Sequence, residues 1–293
     1  MDHAAVLRKR LSQNEIVLAP GIYDALTASL VEKAGFEAAF LSGASIAYTR
    51  FGRPDIGLVS MSEVAEVVAN IRERVDIPVI ADGDTGFGNA LNVQRTIRVF
   101  EMMGASCIQL EDQTLPKRCG HLKGKTLVPA AEMVGKVKAA VDARRSEDTM
   151  IMARTDAIAV EGFEAAMDRA NRYVEAGCDI LFVEAVRTKE QMREVTKMFA
   201  DRVPLLSNMV EGGKTPFLPA KELEEIGYSI VIFPGGFVRA LTFMAREYFT
   251  SLKEHGTTKQ YQERMLDLQG INDLLGTEGI LAAGGKYDAK NFE

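Results

Sequence analysis

The sequence predicts an α/β fold, a (β/α)8 barrel followed by extra helices, and three observations carry that prediction. Eight short, nearly continuous apolar runs are spread along the chain. Amphipathic helical stretches alternate with them. The length of 293 residues suits one large domain or two ordinary ones with a substantial core.

The runs start at Ile16 (IVLAPG), Ala38 (AAFLSG), Ile77 (IPVIADGD), Ala105 (ASCIQLED), Met150 (MIMARTD), Asp179 (DILFVEA), Pro204 (PLLSNM) and Tyr228 (YSIVIFPG). Short and rich in β-branched residues, they read as parallel strands buried on both faces. Between them, apolar residues recur at helical spacing. Leu26, Leu30 and Val31 share a face, as do Val64, Val67, Val68 and Ile71. Val93, Ile97 and Phe100 repeat the pattern, and so do Met133, Val137 and Val141. SMSE (from Ser60) and TKEQ (from Thr188) read as capping boxes. Gly35, Gly104, Gly177 and Gly227 stop helices just before the next strand, where a left-handed cap is needed. A doubly wound open sheet is the competing fold, weakened because no glycine-rich fingerprint follows the first strand.

Residues 1–236 are thus assigned to the barrel and 237–293 to a helical extension of the same domain. Phe237, Leu241, Met244, Tyr248 and Leu252 line one face of a helix that Gly256 stops, and TTKQYQERMLDLQGINDLLG follows. The extension is either a packing appendage or an oligomer contact.

A net charge of -6 gives no reason to expect nucleic acid or an acidic membrane as partner. The stretch MDHAAVLRKRLSQNE lacks the apolar core of a signal peptide, and no apolar run is long enough for a bilayer. Three widely spaced cysteines form neither a zinc pattern nor a disulfide framework. A cytoplasmic location is expected. Cys107 and Cys178 lie in apolar runs and read as buried small hydrophobes.

The chemistry shows in where polar residues fall. Successive runs end in Asp82 and Asp84, Glu111 and Asp112, Arg154 and Asp156, Glu184, and Asn208. Strand ends of a (β/α)8 barrel converge on one face, where active sites sit. Asp112 and Asp156 read as caps or loop-satisfying acids. Asp82 and Asp84, two apart on an extended backbone, point to the same side and repel unless a cation lies between them. Glu111 from the adjacent strand completes an all-oxygen set, suited to Mg2+ with Mn2+ as substitute. Backbone N–H groups of SGAS (Ser42 to Ser45) are placed to receive a carboxylate. Asp55 either orients a metal-bound water or caps a turn.

The loop PKRCGHLKGK (Pro116 to Lys125) follows the fourth run. Lys117, Arg118 and His121 are expected to favour the Cys119 thiolate and lower its pKa. Gly120 and Gly124 allow a hinged lid. A titratable thiol on a lid over a metal-bound anion points to proton transfer to a carbanion.

The segments DGDTGFGN, EDQTLPKRCGH, ARTDA, FVEA and NMVEGGKTP resemble the isocitrate lyase/phosphoenolpyruvate mutase superfamily. The likeness runs from APGIYDALTA to the C-terminal helices. It implies a barrel with Mg2+ at the strand ends, a gating loop carrying the cysteine, and homotetramers that exchange C-terminal helices. Asp84 is then expected at the metal, with Asp82 and Glu111 acting directly or through water and Asp55 behind them. Ser42, Gly43 and Ala44 are expected to hold a 2-oxo-acid end together with Arg154. Gly120, Glu184 and Asn208 are expected around the substrate, with Lys117 and Arg118 in support. Cys119 is expected to protonate the leaving carbanion, with His121 and Arg154 beside it in the catalytic set.

Within the superfamily, CGHLKGK is similar to the group of 2,3-dimethylmalate lyases, petal death protein and carboxyphosphonoenolpyruvate mutases. Phe40 and Leu122 stand where methylisocitrate lyases have a tyrosine and a basic residue. Pro234 resembles the lyases more than the oxaloacetate hydrolases, which tend to have serine there. Gly83 and Phe87 depart from a usual alanine and a common tyrosine. The resemblance implies a Mg2+-dependent carbon–carbon lyase acting on a small 2-hydroxy diacid. The first expected substrate is 2,3-dimethylmalate and the second 2-methylisocitrate. Oxaloacetate acetylhydrolase and carboxyphosphonoenolpyruvate phosphonomutase are the other chemistries the scaffold runs. A barrel that only binds a 2-oxo acid or Mg2+ is the non-enzymatic reading, disfavoured by the intact thiol and carboxylates.

Overall fold

A computed structural model describes residues 2–293. Its strands are β1 (Val17–Ile22), β2 (Ala39–Leu41), β3 (Val79–Asp82), β4 (Cys107–Glu111), β5 (Met150–Thr155), β6 (Ile180–Val183), β7 (Leu205–Asn208) and β8 (Ile230–Phe233). Seven fall inside one of the eight apolar runs, and β1 overruns its own by one residue, Ile22. They form a closed barrel in sequence order, and every neighbouring pair is parallel. Pairing of β1 with β8, Val17 opposite Ile230 and Pro20 opposite Phe233, closes the ring. The expected (β/α)8 barrel is therefore the fold, and the open sheet is excluded.

The helices are α1 (His3–Leu11), α2 (Ala25–Lys33), α3 (Gly43–Phe51), α4 (Met61–Arg72), α5 (Ala90–Met102) and α6 (Ala130–Ala143). After them come α7 (Phe163–Glu175), α8 (Lys189–Phe199), α9 (Ala220–Ile226), α10 (Gly236–His255), α11 (Leu268–Leu275) and α12 (Thr277–Gly285). Ser60 and Glu63 form the expected capping box of α4. At α8 only half of one forms: Thr188 accepts from the Gln191 N–H, while the Gln191 side chain accepts from Arg187 N. Gly35, Gly104, Gly177 and Gly227 all have positive φ, as the cap argument requires.

Strand geometry builds the site. Side chains alternate with period two, so every second residue points along the barrel axis. The lower interior is apolar: Val17, Ala19, Phe40, Ile80, Cys107, Met150, Met152, Ile180, Phe182, Leu206, Ile230 and Ile232 share one cluster. Leu7 and Leu11 of α1 join that cluster, so a helix that no sequence pattern announced plugs the N-terminal end. Two residues further up the same rows stand Ser42, Asp82, Gln109, Arg154, Glu184, Asn208 and Pro234. The interior thus changes from apolar to polar at one level, near the carboxyl ends of the strands.

One expected helix face is not core. Leu26 and Leu30 of α2 are 41% and 38% exposed, and the buried residues there are Thr27, Ala28 and Ser29. Leu30 and Val31 instead line an open apolar cavity of about 220 Å3 with Phe36, Phe233 and Phe237.

The chain divides into two compact units, one ending at Val238 and one from Arg239 to Glu293. In the second, the Tyr248 ring meets Phe249 and Tyr261 edge-on, each at 5.3 Å. Glu247 accepts from the Tyr261 hydroxyl and from Arg264. Neither α11 nor α12 buries a residue, and Leu268 and Leu281 are 80% and 70% exposed. Among the described residues no helix is long and apolar enough to cross a membrane.

Candidate active site at the carboxyl ends of the strands

One cavity of about 60 Å3 gathers nearly all the sequence-predicted groups. Its walls include Ser42, Ala44, Asp55, Asp82, Glu111, Arg154, Glu184 and Asn208 from the barrel, with Lys117, Arg118, Cys119, Gly120 and His121 from the lid. Gly43 and Asp84 lie just behind this wall. The volume is far below the roughly 300–1,000 Å3 of typical ligand sites, with the loop that carries Cys119 lying over it.

The β3–β4 ladder places the carboxylates. Beyond the strand ends it continues through Gly83 N to Gln109 O (3.0 Å) and Glu111 N to Asp84 O (2.8 Å). A Cβ at Gly83 would stand 2.6 Å from Gln109 O. The glycine therefore lets the two chains approach and sets Asp84 beside Glu111; it does not line the cavity. Phe87 is also outside it, its ring edge-on to Phe100 at 6.2 Å. Asp84 itself has a φ of 46°, a region costly for a residue with a Cβ and typical of functional sites.

Asp82 is fixed by donors on both oxygens. Oδ1 accepts from Asp84 N and Gln109 Nε2, each at 3.1 Å, and Oδ2 accepts from Gly43 N at 3.3 Å. One N–H of SGAS, that of Gly43, thus points at a carboxylate, which in this structure is Asp82, while Ser42 N donates to Ile22 O at 3.0 Å. Ser42 Oγ caps α3 by accepting from Ser45 N.

A cation already sits among the acids. Lys117 Nζ lies 2.5 Å from Asp55 Oδ1 and 2.6 Å from Asp84 Oδ1. Burial disfavours its charge, but Asp84, Glu111 and Asp55 override burial and hold the ammonium protonated well beyond its ordinary range. Burial pushes Asp84 up to about 7, with Lys117 opposing and Asp82 and Asp55 adding. Glu111 is likewise driven up by burial against the pull of Arg154 and Lys117. Glu111 Oε1 is buried with no hydrogen-bond partner, and the Lys117–Asp84 contact is not aimed as a hydrogen bond. Among the described residues no three acids, histidines or cysteines converge as a ready ligand set. The donor set still fits a hard divalent cation: it is all oxygen, buried, short of positive partners, and the lid's ammonium stands where positive charge is wanted.

Arg154 is the site's other fixed charge. Asp156 grips it through Nε (3.0 Å) and Nη2 (3.2 Å), Glu111 Oε2 lies 3.2 Å from Nη1, and its guanidinium covers the Phe182 ring at 5.1 Å. Burial opposes ionisation of Asp156, yet Arg154 and Lys125 together hold its carboxyl down at about 2. Asp156 is therefore more than a loop acid: it aims the arginine. Asp112 is structural, accepting from the Thr155 and Tyr173 hydroxyls and from Asp156 N.

Glu184 accepts from Asn208 Nδ2 at 2.9 Å and from Ala185 N at 2.7 Å. Ala185 has a φ of 61°, a second strained residue at a strand end. Asn208 Oδ1 is buried and unpartnered, an acceptor facing the cavity.

The lid is a loop cinched at its base. Gln113 pairs with Leu127, and Thr114 N donates to Thr126 O at 2.9 Å. Within it, Gln113 holds both the N–H and the carbonyl of Arg118, whose guanidinium turns back to Lys123 O at 2.9 Å. Lys125 drops inward to Asp156 at 2.8 Å and to the Gly120 carbonyl. A Cβ on Gly120 would stand 2.6 Å from both Arg154 and Glu184, so only glycine lets the lid seat this deeply.

The expectation of a depressed Cys119 pKa is overturned. Burial is the largest influence and pushes the thiol up; the His121 N–H and Arg154 act against it, Asp55 and Glu184 with it. The three cations expected to favour thiolate are engaged elsewhere. Lys117 faces Asp55 and Asp84, and Arg118 faces a carbonyl. Burial lowers the His121 pKa and leaves that ring neutral. His121 Nδ1 accepts from Lys214 N at 3.1 Å, so the ring proton sits on Nε2, 3.5 Å from Glu184 Oε1. His121 ties the lid to the barrel. Cys119 is a half-buried thiol that keeps its proton, while Cys107 and Cys178 are buried as expected.

Sequence reasoning missed Gln109, Gln113, Lys125 and Phe182. Period two would have found Gln109, which alternates with Ile108 and Leu110 on the same inward row as Glu111. Leu122 is 51% exposed and lies outside the cavity, whereas Phe40 and Pro234 do line it.

This architecture has relatives. The family model described as phosphoenolpyruvate phosphomutase matches residues 7–253. The chain belongs to that family. A 2,3-dimethylmalate lyase from Eubacterium barkeri is 44% identical, covering 96% of each chain. A 2-methylisocitrate lyase from Aeropyrum pernix is 48% identical over 92% of this chain and 86% of its own. Among solved structures, a crystal structure of 2,3-dimethylmalate lyase superposes with a TM-score of 0.93 at 33% identity, covering 98% of this chain and 96% of that one. A phosphonopyruvate hydrolase solved with oxalate and Mg2+ superposes with a TM-score of 0.88 at 32% identity, covering 98% and 99%. These relatives set the chain among the carbon–carbon lyases of the isocitrate lyase/phosphoenolpyruvate mutase superfamily.

Proposed function

We propose that the chain cleaves a 2-substituted malate, 2,3-dimethylmalate first and 2-methylisocitrate second, into a 2-oxo acid and a short carboxylate. The observation that carries this reading is the pairing, in one cavity, of a protonated thiol with a guanidinium and a buried oxygen cluster. Asp84, with Glu111 and Asp82, would hold a Mg2+ or Mn2+ ion that supplies Lewis-acid stabilisation of charge on the oxo-acid fragment. Arg154, aimed by Asp156, pairs with a substrate carboxylate, and the start of α3 at Ser42, Gly43 and Ala44 takes the oxo-acid end through the Ala44 N–H, since Ser42 N is held by Ile22 O and Gly43 N by Asp82. Asn208 and Glu184 complete the wall. When the C2–C3 bond breaks, C2 becomes a ketone as its hydroxyl gives its proton to a carboxylate of the cavity wall. The electron pair stays on C3, beside its own carboxylate. The Cys119 thiol gives its proton to that carbon. Water is shut out by a lid that Lys117, Lys125 and His121 latch to the barrel.

Apolar Phe40, Phe182, Ile232 and Pro234 in the cavity wall favour alkyl substituents over a third carboxylate. Each methylene is worth only about 1–3 kcal/mol, so neighbouring substrates are expected to leak through. Turnover followed by proton NMR with Mg2+ tests the reading across 2,3-dimethylmalate, 2-methylisocitrate, isocitrate, oxaloacetate and phosphonopyruvate. Pyruvate from a substituted malate is the expected outcome. Oxalate plus acetate from oxaloacetate, with the malates untouched, would move the chain to the hydrolases.

We further propose a cytoplasmic homotetramer in which C-terminal helices are exchanged between subunits. The exposed apolar residues of α10, α11 and α12 support it, Phe243 and Phe249 each being 64% exposed. Deleting the chain after Gly256 should shift the assembly to smaller species in light scattering. An unchanged mass would make those helices an appendage.

A further inference from the structure

A second cavity, of about 500 Å3, opens on the outer side of the lid. Its walls carry Lys123 and Lys125 from the lid, Arg187 from the β6–α8 loop and Lys214 from the β7–α9 loop, and no aspartate or glutamate lines it. In a chain of net charge -6, four cations without an acid among them are a local reversal of sign. Lys125 is spoken for, since it turns inward to Asp156. Lys123, Arg187 and Lys214 are exposed, and among the described residues none has a carboxylate partner.

The cations come from both sides of a seam. Lys123 moves with the lid, whereas Arg187 and Lys214 stay with the barrel. Bringing the lid down crowds like charges, and an anion between them offsets that repulsion. The cavity is shared with Gly120 and His121, the residues that wall the inner site.

We infer that this outer cavity binds a small polycarboxylate, one carrying two or more separated charges, and that the bound anion clamps the lid shut. Separated charges match cations spread over three segments better than a single compact charge does. The ligand bridges lid and barrel, so it binds the closed form more tightly and, by linkage, favours closure. The site is distinct from the one that would hold substrate: it lies outside the lid and shares none of the carboxylates. It does not depend on the proposed reaction.

The test uses Cys119 as reporter, because the other two cysteines are buried. The full-length protein, freed of metal with a chelator, is alkylated with iodoacetamide, and modification of Cys119 is followed by mass spectrometry. Tricarballylate, pyrophosphate and sodium chloride are compared at equal ionic strength. Saturating tricarballylate should slow alkylation about fivefold or more, the size of an ordinary coupling, while chloride should not. The double variant Arg187→Gln, Lys214→Gln should lose this protection yet react at the wild-type rate without anion. Equal protection in that variant would place the anion in the inner site and overturn the inference. So would no protection of the wild type, and protection by pyrophosphate alone would overturn the polycarboxylate assignment.

Discussion

Cys119→Ser is expected to fold, to bind metal and to lose cleavage, with kcat lowered by roughly a hundred- to ten-thousandfold, the usual worth of a positioned general acid. The oxygen for sulfur exchange leaves the lid contacts of Lys117, Lys125 and His121 in place. It replaces a thiol with a hydroxyl that is a far weaker acid. The pH profile gives an independent sign check. An acid must hold its proton to donate it, so activity falls as pH rises through the thiol pKa. Burial raises that pKa, so the alkaline limb of the wild-type enzyme should lie above the ordinary thiol value of about 8.5. An alkaline limb near neutrality would mean a thiolate at work and a base in place of an acid. Wild-type turnover by the serine variant would remove Cys119 from the mechanism.

That reversal of the expected Cys119 pKa illustrates what the sequence leaves illegible. The strands were readable because a buried parallel strand has to be apolar nearly throughout, and each of the eight runs marks one. The site was readable in outline because period two carries an apolar row upward into a polar end: Ile80 into Asp82, Phe182 into Glu184. Charge pairing was not readable. Lys117, Arg118 and His121 adjoin Cys119 in sequence, but the loop turns between them: Lys117 and His121 find partners on other elements, and Arg118 turns back to Lys123 O. Lys117 meets Asp55 across 62 positions, and Lys125 meets Asp156 across 31. Desolvation was equally hidden, since it depends on how deeply the lid seats. Gly120 decides that depth, and a glycine in a loop looks the same in sequence whether it hinges or fits. The stripe Leu26, Leu30 and Val31 failed for a related reason: helical spacing shows that a face is apolar, not what covers it.

Asp84→Ala is expected to abolish turnover, by about a thousandfold or more, and excess Mg2+ should not restore it. Several kcal/mol of charge stabilisation rest on the cation that Asp84 is proposed to hold, and each 1.36 kcal/mol is tenfold in rate. Full rescue by metal would show that Asp84 is no ligand. Stability supplies a readout that needs no substrate. Burial lifts the Asp84 carboxyl to about 7 in the folded chain, against about 4 when unfolded. Between those values the folded chain binds more protons than the unfolded one. The stability that Asp84 contributes is therefore full below about pH 4 and lost progressively as pH rises toward 7. The metal-free wild type should melt at lower temperature at pH 7.5 than at pH 5.5, and Mg2+ should recover most of the difference because it replaces the proton among the acids. Asp84→Asn, which keeps the shape and removes the charge, should flatten that pH slope and lose the Mg2+ shift together. A variant that flattened the slope but kept the full Mg2+ shift would place the cation on Glu111 and Asp82 alone. Glu111 Oε1, buried without a partner, would then be the atom that needs it.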